Sequence, residues 1–229
     1  MITINKRLQK VSEFIKGEYM ADIGSDHAYL PIYAVSNKLI SKAIAGEVIK
    51  GPFEASEQNV NVHQLNDVIS VKLGDGLSVL PENNDIDTIT ICGMGGPLIA
   101  KILAEGRNKL TNYPRLILQS NIQSYPIRLW LEQFGYTITN EEILEEKKHI
   151  YEIIVADKLN YDMVLTEQER KFGPQLIQNK NKYFIKKWTR ELQALKTIAQ
   201  QLDASTHQSR LKEVEQEIIL IKEVLGHEN

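Results

Sequence analysis

Three carboxylates occupy equivalent places along this chain: Asp22 in ADIGSDHA, Glu47 in AGEV and Asp75 in GDGL, each close to a glycine at the end of an apolar run. Ligands of open α/β sheets bind at the carboxyl ends of strands, so acids at three successive strand ends mark a site more specifically than any one alone. Glu47 stands 23 residues after Gly24, near the interval at which an acid reaches both hydroxyls of a ribose. Asp75, between Gly74 and Gly76, can accept from an adenine amino group, although an Asp-Gly pair also makes plain turns. The loop Gly24-Ser25-Asp26-His27 lacks the further glycines of a dinucleotide cradle. Its acids suit a phosphate-free ligand with a positive centre; the bland alternative is a strand-to-helix turn with an acidic cap.

The segment Ile91-Cys92-Gly93-Met94-Gly95-Gly96-Pro97 places three glycines in four residues. Without side chains there, a flat group such as a nucleobase can approach the backbone, which makes Gly93 and Met94 candidate catalytic positions. Asn121 adds a polar group at the same edge. Asp26 and His27 are the candidates for moving a proton, and His27 is equally able to bond a backbone carbonyl. Cys92 has no cation beside it in sequence to lower its pKa and reads as a buried thiol.

The elements that must position these residues are legible as strand-like runs at 19–24, 42–48, 68–76, 87–96 and 115–121, separated by helix-length segments. That alternation predicts a parallel sheet with helices on both faces. Two last runs, 136–145 and 150–157, are separated only by a short KKH turn and predict an antiparallel hairpin closing the sheet. Seven strands ending in such a pair match the Rossmann-like class I methyltransferase architecture. A helix is also predicted over 4–16, from Leu8, Val11, Phe14 and Ile15.

After Asp157 the pattern becomes helical. Thr166 and Glu169 form a capping box, Gly173-Pro174 marks a break, and the stripe from Ile177 to Leu202 predicts one helix of about 28 residues. DASTH at 203–207 interrupts it before a second stripe, Leu211, Val214, Ile218, Ile221 and Leu225, so a helical hairpin of coiled-coil character is expected. Net charge is −3, but residues 170–196 hold eight Lys or Arg against one acid, Glu191. This basic stripe suits a phosphate backbone, and a solvated helix face is the alternative.

Composition bounds the class. Apolar residues make up 42% and charged residues 25% of 229, as in globular proteins. The lone cysteine excludes an internal disulfide and a Cys-rich zinc site, so no metal is expected. The N-terminal MITINKRLQK lacks a signal-peptide core and no apolar run approaches 18 residues, so a cytoplasmic protein without a membrane span is expected. The heptad stripes leave a monomer or a weak dimer open.

On ADIGSDHAYLP, AGEV, GDGL, ICGMGG, LQSN and the helical C-terminus, the chain closely resembles the bacterial tRNA (adenine(22)-N(1))-methyltransferase family over essentially its whole length. The resemblance implies an S-adenosylmethionine-binding domain over 1–160 and a helical coiled-coil domain over 161–229 that binds tRNA. It places Arg7 and Leu8 near the methionine end of the cofactor, with Asp22, Gly24, Ser25, Asp26, His27 and Gly93 around it. Glu47 and Val48 fall at the ribose, and Gly74, Asp75 and Gly76 at the adenine. Gly93 to Gly96 stand where many amino-methyltransferases carry an (Asp/Asn)-Pro-Pro-aromatic motif, so that motif supplies neither a stacking ring nor a carboxamide here. Lys180, Lys182, Lys186, Lys187 and Arg190 are the expected RNA contacts. Two other readings stand beside this one: a methyltransferase for a small molecule or protein, which needs no basic stripe, and a catalytically silent RNA-binding protein.

Overall fold

The computed structural model describes residues 2–203 and 205–226. Ala204 of the expected DASTH interruption and residues 227–229 of the expected helical domain lie outside the described residues. The chain divides into two compact units, Met1–Val164 and Leu165–Asn229.

In the first unit β1 (Tyr19–Ile23), β2 (Lys42–Glu47), β3 (Ile69–Leu73), β4 (Thr88–Met94) and β5 (Arg115–Ser120) run parallel. The hairpin of β6 (Thr137–Glu146) and β7 (His149–Asp157) adds antiparallel strands, giving the order β3-β2-β1-β4-β5-β7-β6. All seven strand segments read from the sequence are present, the first five trimmed at their ends, while β6 runs on to Glu146 and β7 begins already at His149, which tightens the hairpin turn. Strand order reverses between β1 and β4, and a ligand crevice opens at such a switch point.

Alternation sorts the side chains between two faces. Met20, Ala43, Ala45, Ile117, Ile153 and Val155 join one core with Val11, Leu30, Ile32 and Val60 of α1 (Lys6–Ser12), α2 (Tyr29–Ser36) and α3 (Lys50–Val62). Leu116, Leu118 and Ile154 are buried on the opposite face, where α4 (Gly96–Glu105) and α5 (Tyr125–Gln133) pack together. Helix α1 is shorter than the predicted 4–16. The Asn5 side chain accepts from the Leu8 N–H and starts it, while Phe14 and Ile15 bond three residues back in a tighter turn.

The α4/α5 face encloses an ion triad. Arg128 of α5 donates from Nε to Glu141 Oε1 at 2.8 Å and from Nη2 to Glu152 Oε2 at 2.9 Å. The side chains of Arg128 and Glu141 are 0% exposed and that of Glu152 is 2% exposed, so this guanidinium locks the hairpin to α5 from inside.

In the second unit α6 (Glu167–Phe172) begins at the Thr166/Glu169 capping box, and α7 (Pro174–Gln178) follows Gly173. The single helix predicted from Ile177 is broken, because Asn181 accepts from the N–H groups of Tyr183 and Phe184 and starts α8 (Lys182–Gln201) afresh. Lys180 therefore lies in the break. Helix α9 (Gln208–Leu225) packs on α8, burying Phe184, Trp188, Leu192, Leu195, Val214 and Ile221. No helix among the described residues is long and apolar enough to cross a membrane.

Removing one partner of a buried ion cluster leaves uncompensated charge. Arg128→Met, which abandons two buried carboxylates, should lower the unfolding free energy in urea by about 3–5 kcal/mol. Arg128→Met with Glu141→Leu and Glu152→Leu should recover most of the loss.

Candidate active site

The three acids converge on the carboxyl edge of the sheet through the parallel registers of β1, β2 and β3. They do different work there. Asp22, 3% exposed, accepts from Ser25 Oγ at 2.7 Å and from Thr90 Oγ at 2.6 Å, so both carboxylate oxygens are engaged by the protein. Burial pushes its pKa up to about 6, against the pull of those two hydroxyls. Ser25 is buried with it.

The loop after β1 turns sharply. Gly24 has φ +69, a left-handed conformation that favours glycine, and a Cβ there would have to displace the Met94 terminal carbon. Asp26, His27 and Ala28 follow with φ of 47, 67 and 57, three consecutive left-handed residues with Cβ atoms. Each such residue costs of order 1 kcal/mol, and outside contacts must offset this. The Gly24 and Ser25 N–H groups donate to the Gly46 carbonyl at 2.9 and 3.1 Å, and Asn59 Nδ2 of α3 donates to the His27 carbonyl at 2.9 Å. The loop thereby holds Asp26 and His27 outward, with side chains 83% and 41% exposed.

Glu47 is buried at the end of β2, where Ser56 Oγ of α3 donates to it at 3.3 Å. Burial raises its pKa, opposed by Ser56 and by the backbone N–H groups of His27 and Asp26. Asp75 remains exposed beyond β3. Beside these lies a cleft of about 160 Å³ lined by Gly24, Gly46, Val48, Asp75, Met94 and Leu98, among others. A larger cavity of about 270 Å³ adjoins it at Asp75 and Gly76. Leu8, by contrast, packs its side chain against the α1–α3 core.

The end of β4 bulges. Its pairing with β5 skips between Cys92 and Met94, and Gly93 at φ +79 forms the irregularity. Burial pushes the Cys92 thiol pKa well up, away from thiolate chemistry. Gln119, fully buried in β5, accepts from the Gly93 N–H at 2.8 Å and from Arg7 Nη1. Its Nε2 donates to Asn121 Oδ1 at 3.2 Å, and Asn121 Nδ2 donates to the Gly93 carbonyl at 2.7 Å. The Arg7 guanidinium also lies 5.4 Å from the Tyr151 ring centre, the nearest thing to the aromatic that the glycine motif lacks.

The structure thus brings Asp22, Gly24, Ser25, Asp26, His27, Glu47, Val48, Asp75, Gly93, Met94, Asn121 and Arg7 to one sheet edge. Sequence reasoning missed Thr90, Ser56, Asn59, Gln119 and Tyr151. Polar residues two positions from a flagged one in a buried strand, Thr90 before Cys92 and Gln119 before Asn121, were the available signal. The basic candidates belong to the second unit. Lys182, Lys186 and Arg190 recur every four residues on α8, on a row away from buried Phe184 and Trp188, and Lys187 lies 4.8 Å from the Trp188 ring.

A family model described as tRNA (adenine(22)-N(1))-methyltransferase matches residues 20–223. A Bacillus subtilis protein named tRNA (adenine(22)-N(1))-methyltransferase is 46% identical, covering 99% of this chain and 98% of its own length. A Streptococcus pneumoniae structure in complex with S-adenosyl-L-methionine superposes with a TM-score of 0.88 at 41% identity, covering 98% of this chain and all of that one. An M. capricolum structure in complex with S-adenosyl-homocysteine gives 0.89 at 31% identity, covering 98% of each chain.

Because the folded state holds Asp22 with a pKa near 6 rather than 3.8, it binds that proton more tightly than the unfolded chain. The contribution is complete below pH ~4 and is lost as pH rises through ~6. Wild-type stability should therefore decline relative to Asp22→Asn over that window in denaturant titrations at stepped pH. An opposite trend would mean that Ser25 and Thr90 outweigh burial.

Proposed function

The chain belongs to the tRNA (adenine(22)-N(1))-methyltransferase family, and we propose that it catalyses that family's reaction with the residues gathered at this sheet edge. It transfers the methyl group of S-adenosylmethionine to N1 of adenine 22 in tRNA. The observation that carries the assignment of roles is one cleft, beside a left-handed loop, lined by side-chain-free Gly24, exposed Asp75 and both chain neighbours of buried Glu47, Gly46 and Val48.

The cleft fits this cofactor's chemistry. Glu47 is a buried acceptor whose position suits ribose hydroxyls, Val48 and Leu98 offer apolar walls for a purine, and Asp75 faces its amino edge. Arg7, held by Gln119 and Tyr151, suits the methionine carboxylate. Asp22, ionised above about pH 6, supplies negative potential beneath a positive centre. When bound, the cofactor supplies an electrophilic methyl on a sulfonium.

Adenine N1 has an in-plane lone pair, so the protein need only orient the base and exclude water, not deprotonate a nucleophile. N1 would take the methyl that the bound cofactor supplies, and the base would become cationic. Asp26 can stabilise that charge, or His27 can take the exocyclic amine proton, from their exposed positions on the loop. N1 lies on the Watson–Crick edge, so adenine 22 must be unpaired or extruded first. The row Lys182, Lys186 and Arg190, with Lys187 and Lys180 beside it, binds the tRNA backbone in this reading.

Labelled methyl transfer to unmodified tRNA transcripts, read by nucleoside mass spectrometry, should yield 1-methyladenosine that disappears with guanine at position 22. Glu47→Ala should weaken cofactor binding by about tenfold or more through lost ribose hydrogen bonds. Cofactor binding without any tRNA methylation would overturn the substrate assignment. Replacing Lys182, Lys186 and Arg190 with Ala should raise KM for tRNA and reduce the salt slope of its binding by about 2 to 3, with cofactor affinity unchanged.

A further inference from the structure

The amides of Gln119 and Asn121 form a circuit whose orientation is dictated, not arbitrary. Arg7 Nη1 and the Gly93 N–H can only donate, so the Gln119 atom facing both must be its oxygen. Gln119 therefore turns its NH₂ to Asn121, which must answer with Oδ1, at 3.2 Å. That leaves Asn121 Nδ2 toward the Gly93 carbonyl, which can only accept, at 2.7 Å. The Asn121 backbone N–H is pinned as well, donating to the Met94 carbonyl at 2.8 Å.

Each Asn121 group keeps one unused valence. Oδ1 has a second lone pair and Nδ2 a second hydrogen, and the residue is exposed at the edge where β4 and β5 end. With that lone pair and hydrogen on the outer edge of the amide, Asn121 would match an adenine edge that offers the N6 amino hydrogen beside a ring nitrogen. Adenine has two such edges. On the Watson–Crick edge the donor would occupy N1, the atom that must attack, so that pairing is incompatible with the reaction. The Hoogsteen edge, N6–H with N7, leaves N1 free. Guanine presents O6 and N7, two acceptors, and would set O6 against Asn121 Oδ1.

We propose that Asn121 selects the target base by a bidentate contact to the adenine Hoogsteen edge, with Gln119 as the positioning residue that fixes the amide for adenine. This rests on the tRNA reading above and specifies how that site recognises its substrate. It also accounts for a fully buried glutamine directly after the apolar run Leu116, Ile117 and Leu118. The bulge at Gly93 belongs to the same device, since it turns the N–H and the carbonyl of one residue toward two different amides.

The test is a double-mutant cycle between the protein and one atom of the RNA. Full-length enzyme is assayed under single turnover on tRNA assembled with adenosine or 7-deazaadenosine at position 22, which replaces N7 by C–H and leaves N1 and N6 in place. Wild-type kcat/KM should fall about tenfold on the 7-deaza substrate, the size of one lost hydrogen bond at a reading contact. In Asn121→Ala the same replacement should change the rate less than about twofold, because the partner of N7 is already gone. Gln119→Glu keeps the acceptor for Arg7 and Gly93 but removes the donor to Asn121, and it should shrink the 7-deaza penalty in the same way. Thermal unfolding and cofactor affinity report that each variant is folded.

No penalty in the wild type, or a full penalty surviving in Asn121→Ala, overturns the Hoogsteen contact. A full penalty surviving in Gln119→Glu overturns the positioning role of Gln119. Failure of the wild type to methylate even the unmodified transcript would instead overturn the functional reading on which the contact rests.

Discussion

A carboxylate buried in the centre of a parallel sheet persists only if both its oxygens are hydrogen-bonded, and Asp22 meets that condition by tying three pieces of chain together. Through Thr90 it fixes β1 to β4, and through Ser25 it fixes β1 to the loop that follows. The loop can then hold Asp26, His27 and Ala28 in left-handed conformations that an isolated chain would seldom visit. Asn59 and Gly46 complete the restraint from α3 and β2. The pKa of Asp22 is raised by its burial, and the two hydroxyl bonds that offset part of that burial are the same ones that restrain the turn.

The far side of the site depends on a different anchor. Register pairs Ser120 with Glu152, which sets Tyr151 beside Asn121 at the end of β5. Glu152 points to the α5 face and is held there by Arg128, so alternation turns Tyr151 to the α1 face, where Arg7 lies against it. A buried guanidinium on one face of the hairpin therefore determines where a half-buried guanidinium, that of Arg7, can rest on the other. A one-residue slip in this hairpin would exchange Glu152 with Tyr151 and dismantle both.

Much of this was legible in the sequence because strand ends are punctuated. Apolar runs bounded by turn residues marked all seven strands, and the acids beside glycine at the ends of the first three identified the edge that gathers Asp22, Glu47 and Asp75. What stayed hidden has a physical pattern. Ser56 and Asn59 come from α3, whose helical turns alone bring Ser56 back to Glu47 and Asn59 beneath the loop. Gln119 and Thr90 lie inside apolar runs, where periodicity marks them as buried but not as partners. The helical stripe from Ile177 was over-read for a related reason. Apolar spacing is indifferent to a capping side chain, and Asn181 starts a new helix three residues after Gln178 ends the previous one without disturbing the stripe.

The two halves of the site also divide charge in a way the chemistry favours. In the proposed reading carboxylates lie under and beside the cleft that takes the cofactor, where a positive centre would enter and a neutral thioether leave, so attraction would be strongest before transfer and relax after it. At the base the sequence is reversed: a neutral adenine enters and a cation leaves. A carboxylate there would tighten on the product and slow its release. Asn121 is a neutral amide with a fixed donor and acceptor, which can read an edge without gaining affinity as that edge becomes charged. Any carboxylate that stabilises the developing cation is better placed on an element apart from the base-reading pair, and Asp26, exposed on its own loop, satisfies that requirement.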